Sequence, residues 1–498
     1  MGLLLVAFGL QASGLVSQGL WRDEVDAIRF ARRPLAALLE TFRTPGQNGP
    51  LYYLLLRPWL ELAGQGEFAL RFFSTLFGVL AVALTARLGR RLFPARPAVG
   101  LLAALLAATA PYLVWYGQEG KMYTLVVALV LLSTERYTAA LLRGGWQRWL
   151  AYVVFTSLLF YVHLTAVLIV PAQALAFFLV GREVRRARWK GWLASLAALT
   201  VPYLPLLAWQ WPLLRAGGQT GYAFVPLPQM VLSLLTSYSL GVVGHGAPWA
   251  LVPFVALLLA VGLGRAWPGR ALRAPRGILL CWLVVPVVGF FLVTLLRPIY
   301  TARYLIFVLP AYLLLLAVGL EAVARHSRLL AAALLLGLLA LNGWGLWLQA
   351  RTPLKADFRA ATAYVVEHRA ADDLLLFQIP YGRHSFDYYR SQQAAAESAP
   401  VPGQGDFRLM LPLVIGGGPP AYSWAEGLYT NAGMAPEEAA RQMAALTAGY
   451  RGVWLVATEV PLWDERGLVQ AWLEEHAVRE EEAHFVRVDV YYYRLEGD

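Results

Sequence analysis

The sequence predicts an α-helical polytopic membrane protein of about eleven transmembrane helices, followed by an extracytoplasmic α/β domain of about 150 residues. Three observations carry this. The 498 residues are 58% hydrophobic and only 15% charged, where a water-soluble chain carries roughly 25% charged residues, and the deficit is what a lipid-facing surface requires. Apolar runs long enough to cross the hydrocarbon core recur up to residue 348 and then stop. The charge also changes sign there: residues 351–498 hold 13 basic and 21 acidic residues, leaving 29 basic and 10 acidic before them.

The runs lie near residues 2–20, 68–88, 98–116, 122–141, 148–163, 164–181, 191–211, 248–264, 277–296, 304–323 and 329–348. The first starts at Met1 with no basic stretch ahead of it, which favours a retained span over a cleaved signal peptide. Orientation follows from five loops: Arg87, Arg90, Arg91 and Arg96; Arg143 and Arg148; Arg182, Arg185, Arg186, Arg188 and Lys190; Arg265, Arg270, Arg273 and Arg276; Arg325 and Arg328. All fall on one side when the N-terminus is cytoplasmic, as retention of Lys and Arg inside the cell requires. That phase makes residues 213–247, with Gly217, Gly218, Pro226, Pro228 and Gly246, an external loop with a helix lying in or dipping into the interface. It places a multi-pass protein in the plasma membrane with an extracytoplasmic tail.

The transmembrane part is therefore 1–350 and the soluble domain 351–498. Within the former, residues 21–66 form an external loop in which 26–42 and 50–63 alternate apolar and polar positions at helical spacing, as in helices lying on a leaflet. In the tail, a turn at Arg351-Thr352-Pro353 leads to a helix start capped by Asp357 or a neighbour. Then come a short apolar run Leu374–Phe377, Gly/Pro-rich punctuation around 400–420, a buried strand Gly452–Val456, a helix over 465–476 and an alternating strand Phe485–Tyr493. Strands mixed with helices fit a small α/β domain.

Several functions are excluded. The basic residues sit in short loops where cytoplasmic retention accounts for them, so the net charge of +11 does not signal nucleic acid. A single cysteine, Cys281, inside an apolar run builds no disulfide, thiolate metal site or redox pair within one chain. The tail has no Gly-rich phosphate loop, and the chain shows no short-period repeat.

Charge at a membrane is expensive and therefore informative. Six of the ten acidic residues before 351 lie between the first two expected spans; for Glu40, Glu61 and Glu67 a solvated face accounts for them. Asp23 and Glu24 follow the first span directly, beside Trp21. Trp115-Tyr116-Gly117-Gln118-Glu119-Gly120-Lys121-Met122-Tyr123 places a carboxylate, an amide, an ammonium and phenols at one depth on the same side. Arg303 and Tyr304 stand there too, as does His163 at the end of the fifth span; taken singly, Arg303 reads as an interfacial anchor and His163 as a satisfied interfacial histidine. Together they suit a lipid-linked anionic substrate: cations compensate a phosphate and a carboxylate accepts a proton from an attacking hydroxyl. A transporter instead needs polar groups and broken helices at mid-depth.

Asp23-Glu24, Asn48-Gly49-Pro50-Leu51-Tyr52-Tyr53, Ala69-Leu70-Arg71, Tyr116 to Tyr123, Ala302-Arg303-Tyr304-Leu305 with Leu309-Pro310, and Asp357-Phe358-Arg359-Ala360-Ala361 resemble, in that order, the C-superfamily membrane glycosyltransferases. The branch is that of the protein O-mannosyltransferases (dolichyl-phosphate-mannose-protein mannosyltransferases) and bacterial aminoarabinose transferases. Asn48-Gly49-Pro50 replaces the family's His-Pro-Pro and Glu119-Gly120-Lys121 its Glu-Ala-Arg; Lys keeps the charge without the fork of Arg. The resemblance implies the C-superfamily glycosyltransferase fold, a sugar donor on a polyprenyl phosphate, Asp23 as catalytic base and Glu24 as its partner. Gln118, Glu119, Lys121, Tyr123, Arg303 and Tyr304 become donor or phosphate-binding residues, and Asn48, Tyr52 and His163 acceptor or loop positions.

The expected activity is an inverting transfer of a hexosyl or pentosyl group to an acceptor lipid, protein or glycan outside the cell. No cofactor is required, and a divalent metal is not indicated. The competing expectation is a non-catalytic polyprenyl-lipid or glycan transporter, or an envelope assembly scaffold.

Overall fold

A computed structural model of the chain describes residues 1–41, 48–215, 222–262, 267, 272–370, 372–378, 382–397, 407–409, 435–460, 464 and 466–495. It divides into two compact units, one of Met1–Leu15 with Ala31–Thr352, the other of Val16–Phe30 with Pro353–Asp498.

In the first unit every expected apolar run contains a helix. Among the described residues five helices are long and apolar enough to cross a membrane: Glu67–Leu92, Tyr123–Arg143, Arg273–Leu296, Ala302–Ala324 and Arg328–Arg351. The pair Pro97–Thr109 and Pro111–Gly117, bent by 59°, makes a sixth if it counts as one span. The bend has a local cause. Pro111 has no N–H to continue the helix and drives Ala110 into extended backbone, ψ 115°. Gly2–Ala12, Leu164–Leu179 and Pro248–Leu259 are apolar but shorter. The spans Tyr123–Arg143 and Ala302–Ala324 are each 83% buried within the protein, whereas Arg328–Arg351 is 22% buried and leaves most of its apolar surface to lipid. The chain is a multi-pass membrane protein.

Single hydroxyls and amides inside the apolar runs tie these helices together. Ser133 and Thr156 share a hydrogen bond of 2.8 Å, Gln173 Nε2 donates to Ser133 Oγ, Tyr152 donates to Gln173 Oε1 at 2.9 Å, and Tyr137 donates to the Gln173 carbonyl at 2.7 Å. Uncharged and mutually bonded, the group joins three helices where lipid supplies no partner.

Some sequence expectations are corrected. The run 2–20 is not one helix: the helix stops at Ala12, Ser13 Oγ donates to the Leu10 carbonyl at 3.0 Å, and Gly14 takes φ +77°. Asp23 and Glu24 therefore lie not at the end of the first helix but in the first turn of a second, Arg22–Arg32. The surface helix expected over 26–42 is two, Arg22–Arg32 and Leu35–Thr41, parted at Pro34; its partner is Leu51–Ala63. In 213–247 the helix is Leu227–Leu240. Gly217, Gly218, Arg265, Arg270 and most of the Gly/Pro-rich stretch 400–420 lie outside the described residues.

The second unit holds a five-stranded sheet of β1 (Leu374–Phe377), β2 (Phe407–Leu409), β3 (Gly452–Ala457), β4 (Ala477–Phe485) and β5 (Val488–Leu495), in the order β2-β1-β3-β5-β4. β1 pairs parallel with β2 and β3; β5 pairs antiparallel with β3 and β4. β1 and β3 are buried along their whole length, so they read as continuous apolar runs rather than alternating ones. Leu374, Leu376, Val453 and Leu455 pack with Met443, Val469, Trp472 and Leu473 from the helices Pro436–Thr447 and Leu468–His476. Trp454 and Phe377, of opposite parity, meet Tyr364 of Phe358–His368 and Phe386 of Gly382–Glu397. Asp357 does cap its helix, accepting from the Ala360 N–H at 3.1 Å. The strand expected from Phe485 is corrected: Phe485 closes β4, Arg487 turns the chain at φ 56°, and β5 starts at Val488. β4 is an exposed edge strand whose Arg and Glu side chains discourage pairing with another chain.

Candidate active site

In the first unit, residues 118–122 turn the chain between Pro111–Gly117 and Tyr123–Arg143. The turn is tight: the Lys121 N–H donates to the Glu119 carbonyl at 2.7 Å. It is strapped to Glu67–Leu92 by three hydroxyls, with Thr75 donating to the Gly117 carbonyl (2.9 Å), Ser74 to the Lys121 carbonyl (3.0 Å) and Thr124 to the Ser74 carbonyl (2.7 Å). Gly120 is required by crowding, since a Cβ there would stand 2.5 Å from Leu70. The result buries Glu119 and Lys121, both short of a tenth exposed.

The late Arg-Tyr segment reaches the same place. The Arg303 guanidinium lies 5.9 Å from the Tyr123 ring centre and 5.8 Å from that of Tyr304, within cation–π range. The His163 ring stands 5.3 Å from Tyr304 and 6.1 Å from Tyr123, near enough to Arg303 and Lys121 to feel both charges. Arg303 and Glu119 act likewise on the Tyr116 and Tyr123 phenols.

The hydrogen bonds of His163 fix its tautomer. The Thr165 hydroxyl has one proton and gives it to the Tyr304 carbonyl at 2.7 Å, so its 2.8 Å bond with His163 is donated by Nδ1. Nε2 is then the bare nitrogen, buried, and it meets no hydrogen-bond partner among the described residues. A loop packs on the backbone two residues before His163. The Leu51 N–H donates to the Tyr161 carbonyl at 2.9 Å, and a Cβ on Gly49 would stand 2.1 Å from that oxygen, so Asn48-Gly49-Pro50 presses on the turn that carries His163.

Of the expected residues, Glu119, Lys121, Tyr123, His163, Arg303 and Tyr304 thus come together, and Asn48 joins through its loop. Gln118 and Tyr52 make packing contacts: Gln118 Nε2 donates to the Leu10 carbonyl at 2.9 Å, and Tyr52, fully buried, packs on Tyr53 and Phe73. Sequence reasoning missed Thr165, Ser74 and Thr75. It also left Arg71 without a role, yet Arg71 is buried and donates to the Leu15 carbonyl at 2.6 Å. Among the described residues no three His, Cys, Asp or Glu side chains form a group that could hold a metal ion.

Asp23 and Glu24 belong to the second unit. Residues 16–30 run beside the tail: Gln18 Oε1 accepts from the Leu354 and Lys355 N–H groups at 2.9 and 3.0 Å, Arg359 donates to the Val16 carbonyl at 3.1 Å, and the Leu20 N–H donates to the Tyr389 hydroxyl. Glu24 is wholly buried and takes Lys355 Nζ at 3.0 Å. That pair gives Glu24 a structural duty. Asp23 stays half-buried and faces Glu459, a non-glycine residue in the left-handed region at φ 48°. Partial desolvation pushes the carboxyl of Glu459, which keeps an exposed face, above the ordinary range, with Arg22 and Arg487 opposing and Asp23 adding. Thr458, donating to the Arg487 carbonyl at 2.6 Å, holds this corner of the sheet.

Residues 47–209, about a third of the chain, match the family model described as dolichyl-phosphate-mannose-protein mannosyltransferase. No curated protein matches the sequence. Among solved structures, ArnT from Cupriavidus metallidurans bound to undecaprenyl phosphate is similar at TM-score 0.57 and 13% identity, over 98% of this chain and 97% of that one. Its apo state gives 0.56 and 14% over the same shares. The archaeal oligosaccharyltransferase AglB from Archaeoglobus fulgidus, in complex with an inhibitory peptide and a dolichol-phosphate, gives 0.51 and 12%, over 98% of this chain and 74% of that one. Joined to the ordered motifs from Asp23 to Ala361, these likenesses give the chain the fold of the C-superfamily membrane glycosyltransferases.

Proposed function

We propose that the protein is an inverting glycosyltransferase that moves a sugar from a polyprenyl-phosphate donor to an acceptor on the extracytoplasmic side of the plasma membrane. One observation carries the reading: Lys121, Arg303, Glu119 and His163 gather with three tyrosines at one end of the helix bundle. A charged group costs several kcal/mol in hydrocarbon, so charges gathered beside an aromatic wall mark a functional site, and the buried Lys121 and half-buried Arg303 are placed to stabilise an anion there. The phosphate of a membrane-held polyprenyl lipid supplies one at that depth. The fold supports the same chemistry, since ArnT is seen with undecaprenyl phosphate and AglB with dolichol-phosphate.

In this reading an acceptor hydroxyl or amine attacks the anomeric carbon from the face opposite the phosphate. The bond between the anomeric carbon and the phosphate oxygen breaks, its electron pair leaves with polyprenyl phosphate, and the acceptor's proton passes to the Asp23 carboxylate. Lys121 and Arg303 stabilise the charge that grows on the leaving phosphate. His163, through the Nε2 that Thr165 leaves open, accepts a hydrogen bond from a sugar hydroxyl.

The test is transfer of a labelled sugar from polyprenyl phosphate in membranes carrying the protein. Asp23→Asn is expected to abolish nearly all turnover, and Arg303→Met and Lys121→Met to lower kcat roughly 100-fold each, the scale for loss of one group that stabilises transition-state charge. Wild-type turnover by Asp23→Asn overturns the assignment of the base. Gradient-dependent lipid movement with no sugar transfer replaces the reading with a transporter.

A further inference from the structure

The opposite end of the same helices carries a second charged site that this function does not use. Along Glu67–Leu92, Arg87, Arg90 and Arg91 follow Arg71 by 16 to 20 residues, about 24–30 Å at the helical rise, which is close to the thickness of the hydrocarbon. Arg143 ends Tyr123–Arg143 at the same level. The four arginines line one cavity of about 410 Å³, whose remaining wall is Pro94, Ala139 and Leu142. Pockets of roughly 300–1,000 Å³ are the usual size for small-molecule sites.

Retention of arginines on one side of the membrane explains their number. It does not explain their convergence on one cavity from two helices, nor the acid that aims them. Glu135, one per cent exposed, accepts from Arg87 Nε at 3.2 Å and forms ion pairs with Arg91 Nη1 and Arg136 Nε, each at 2.9 Å. Four guanidiniums line the cavity and Arg136 stands behind it on the same single carboxylate, so the cluster keeps a net positive charge beside a cavity with an apolar side. Guanidinium forks match phosphate oxygens pairwise, and basic pockets between transmembrane helices take lipid headgroups.

We propose that this cavity binds a phosphate group, supplied by the headgroup of an anionic glycerophospholipid in the leaflet opposite the candidate active site. The phosphate lies among Arg87, Arg90, Arg91 and Arg143, and the glycerol lies against Pro94, Ala139 and Leu142.

The test is lipid binding to the full-length protein in detergent, read by native mass spectrometry as phosphatidylglycerol or phosphatidylcholine is titrated in. Arg90→Gln/Arg143→Gln is the informative variant, because the bonds to Glu135 come from other arginines. Wild type is expected to prefer phosphatidylglycerol at least tenfold, and the variant to weaken that binding roughly 10- to 30-fold, the scale for two basic residues facing an anionic headgroup. Arg90→Lys/Arg143→Lys, which keeps the charge and reports on folding, is expected to retain most of the preference. Equal binding of the two lipids by wild type, or undiminished phosphatidylglycerol binding by the glutamine variant, overturns the proposal. Displacement of the lipid by millimolar inorganic phosphate in wild type alone keeps the phosphate site and overturns its lipid source. Sugar transfer is not the readout, so loss of the enzymatic reading leaves this result standing.

Discussion

Removing Lys355 separates packing from catalysis at the acidic pair. Lys355→Met deletes the ammonium 3.0 Å from Glu24 Oε2 and leaves a carboxylate with no solvent exposure in a site built for an ion pair. Stripping one partner from a buried pair costs about 3–5 kcal/mol, because the remaining charge keeps its desolvation penalty and loses its compensation. Glu24→Gln alone is expected to cost a similar amount. The double variant Glu24→Gln/Lys355→Met, which buries neither charge, is expected within about 2 kcal/mol of wild type, giving a coupling of several kcal/mol in a double-mutant cycle. Pulse proteolysis of the detergent-solubilised protein across a urea series, followed at the tail, measures each change. Sugar transfer is read on the same samples: the stable double variant is expected to keep most of its activity. Single-variant costs below about 1 kcal/mol would refute the energetic argument, and a stable but inactive double variant would return Glu24 to the reaction.

Gly49→Ala is expected to destabilise the first unit by about 1–3 kcal/mol, since its Cβ would meet the Tyr161 backbone oxygen, which cannot swing aside; the same shift moves His163, so donor KM is expected to rise, and unchanged unfolding and KM together would show that the loop gives way freely. His384 provides a pH signature in the second unit: burial, and then Arg29, pull its pKa down to about 4, with Asp26 opposing. Because the folded value lies below the unfolded one of about 6.5, the unfolded state takes up the proton first. The His384 contribution is therefore complete above about pH 6.5 and is lost as pH falls toward 4, by roughly 3 kcal/mol at most. The wild-type stability, compared with that of His384→Gln across pH 7 to 4, is expected to fall more steeply, and parallel curves would exclude the histidine as the cause.

The membrane helices were legible because lipid imposes one demand on every residue of a span, and that demand shows as uninterrupted apolar composition. The first run shows where this rule stops. Residues 2–20 are apolar enough for one span, yet Ser13, Gly14, Ser17 and Gly19 weaken the helix, and Gln18 finds its partners 336 and 337 residues later. β4 was hidden for the opposite reason. Arg479-Glu480-Glu481-Glu482 has no apolar alternation to mark a strand, and its edge position beside β5 makes one of it.

The site was legible in proportion to how much of it depth alone decides. Glu119, Lys121 and Arg303 were singled out as charges at the ends of apolar runs, and the fold brings all three to one cluster of tyrosines. Their contacts were not legible: nothing in Thr165 or in Ser74 and Thr75 distinguishes them from ordinary helix hydroxyls until they meet the Tyr304, Lys121 and Gly117 carbonyls. Depth likewise could not tell Asp23 from Glu24, which are neighbours in sequence and in the same helical turn. Successive positions on a helix point about 100° apart, so one of the two turns toward Lys355 and is consumed by burial while the other keeps a half-open carboxylate. A proton acceptor in a transfer reaction must reach substrate and return its proton to water. Of the adjacent acids, only Asp23 has a surface left with which to do so.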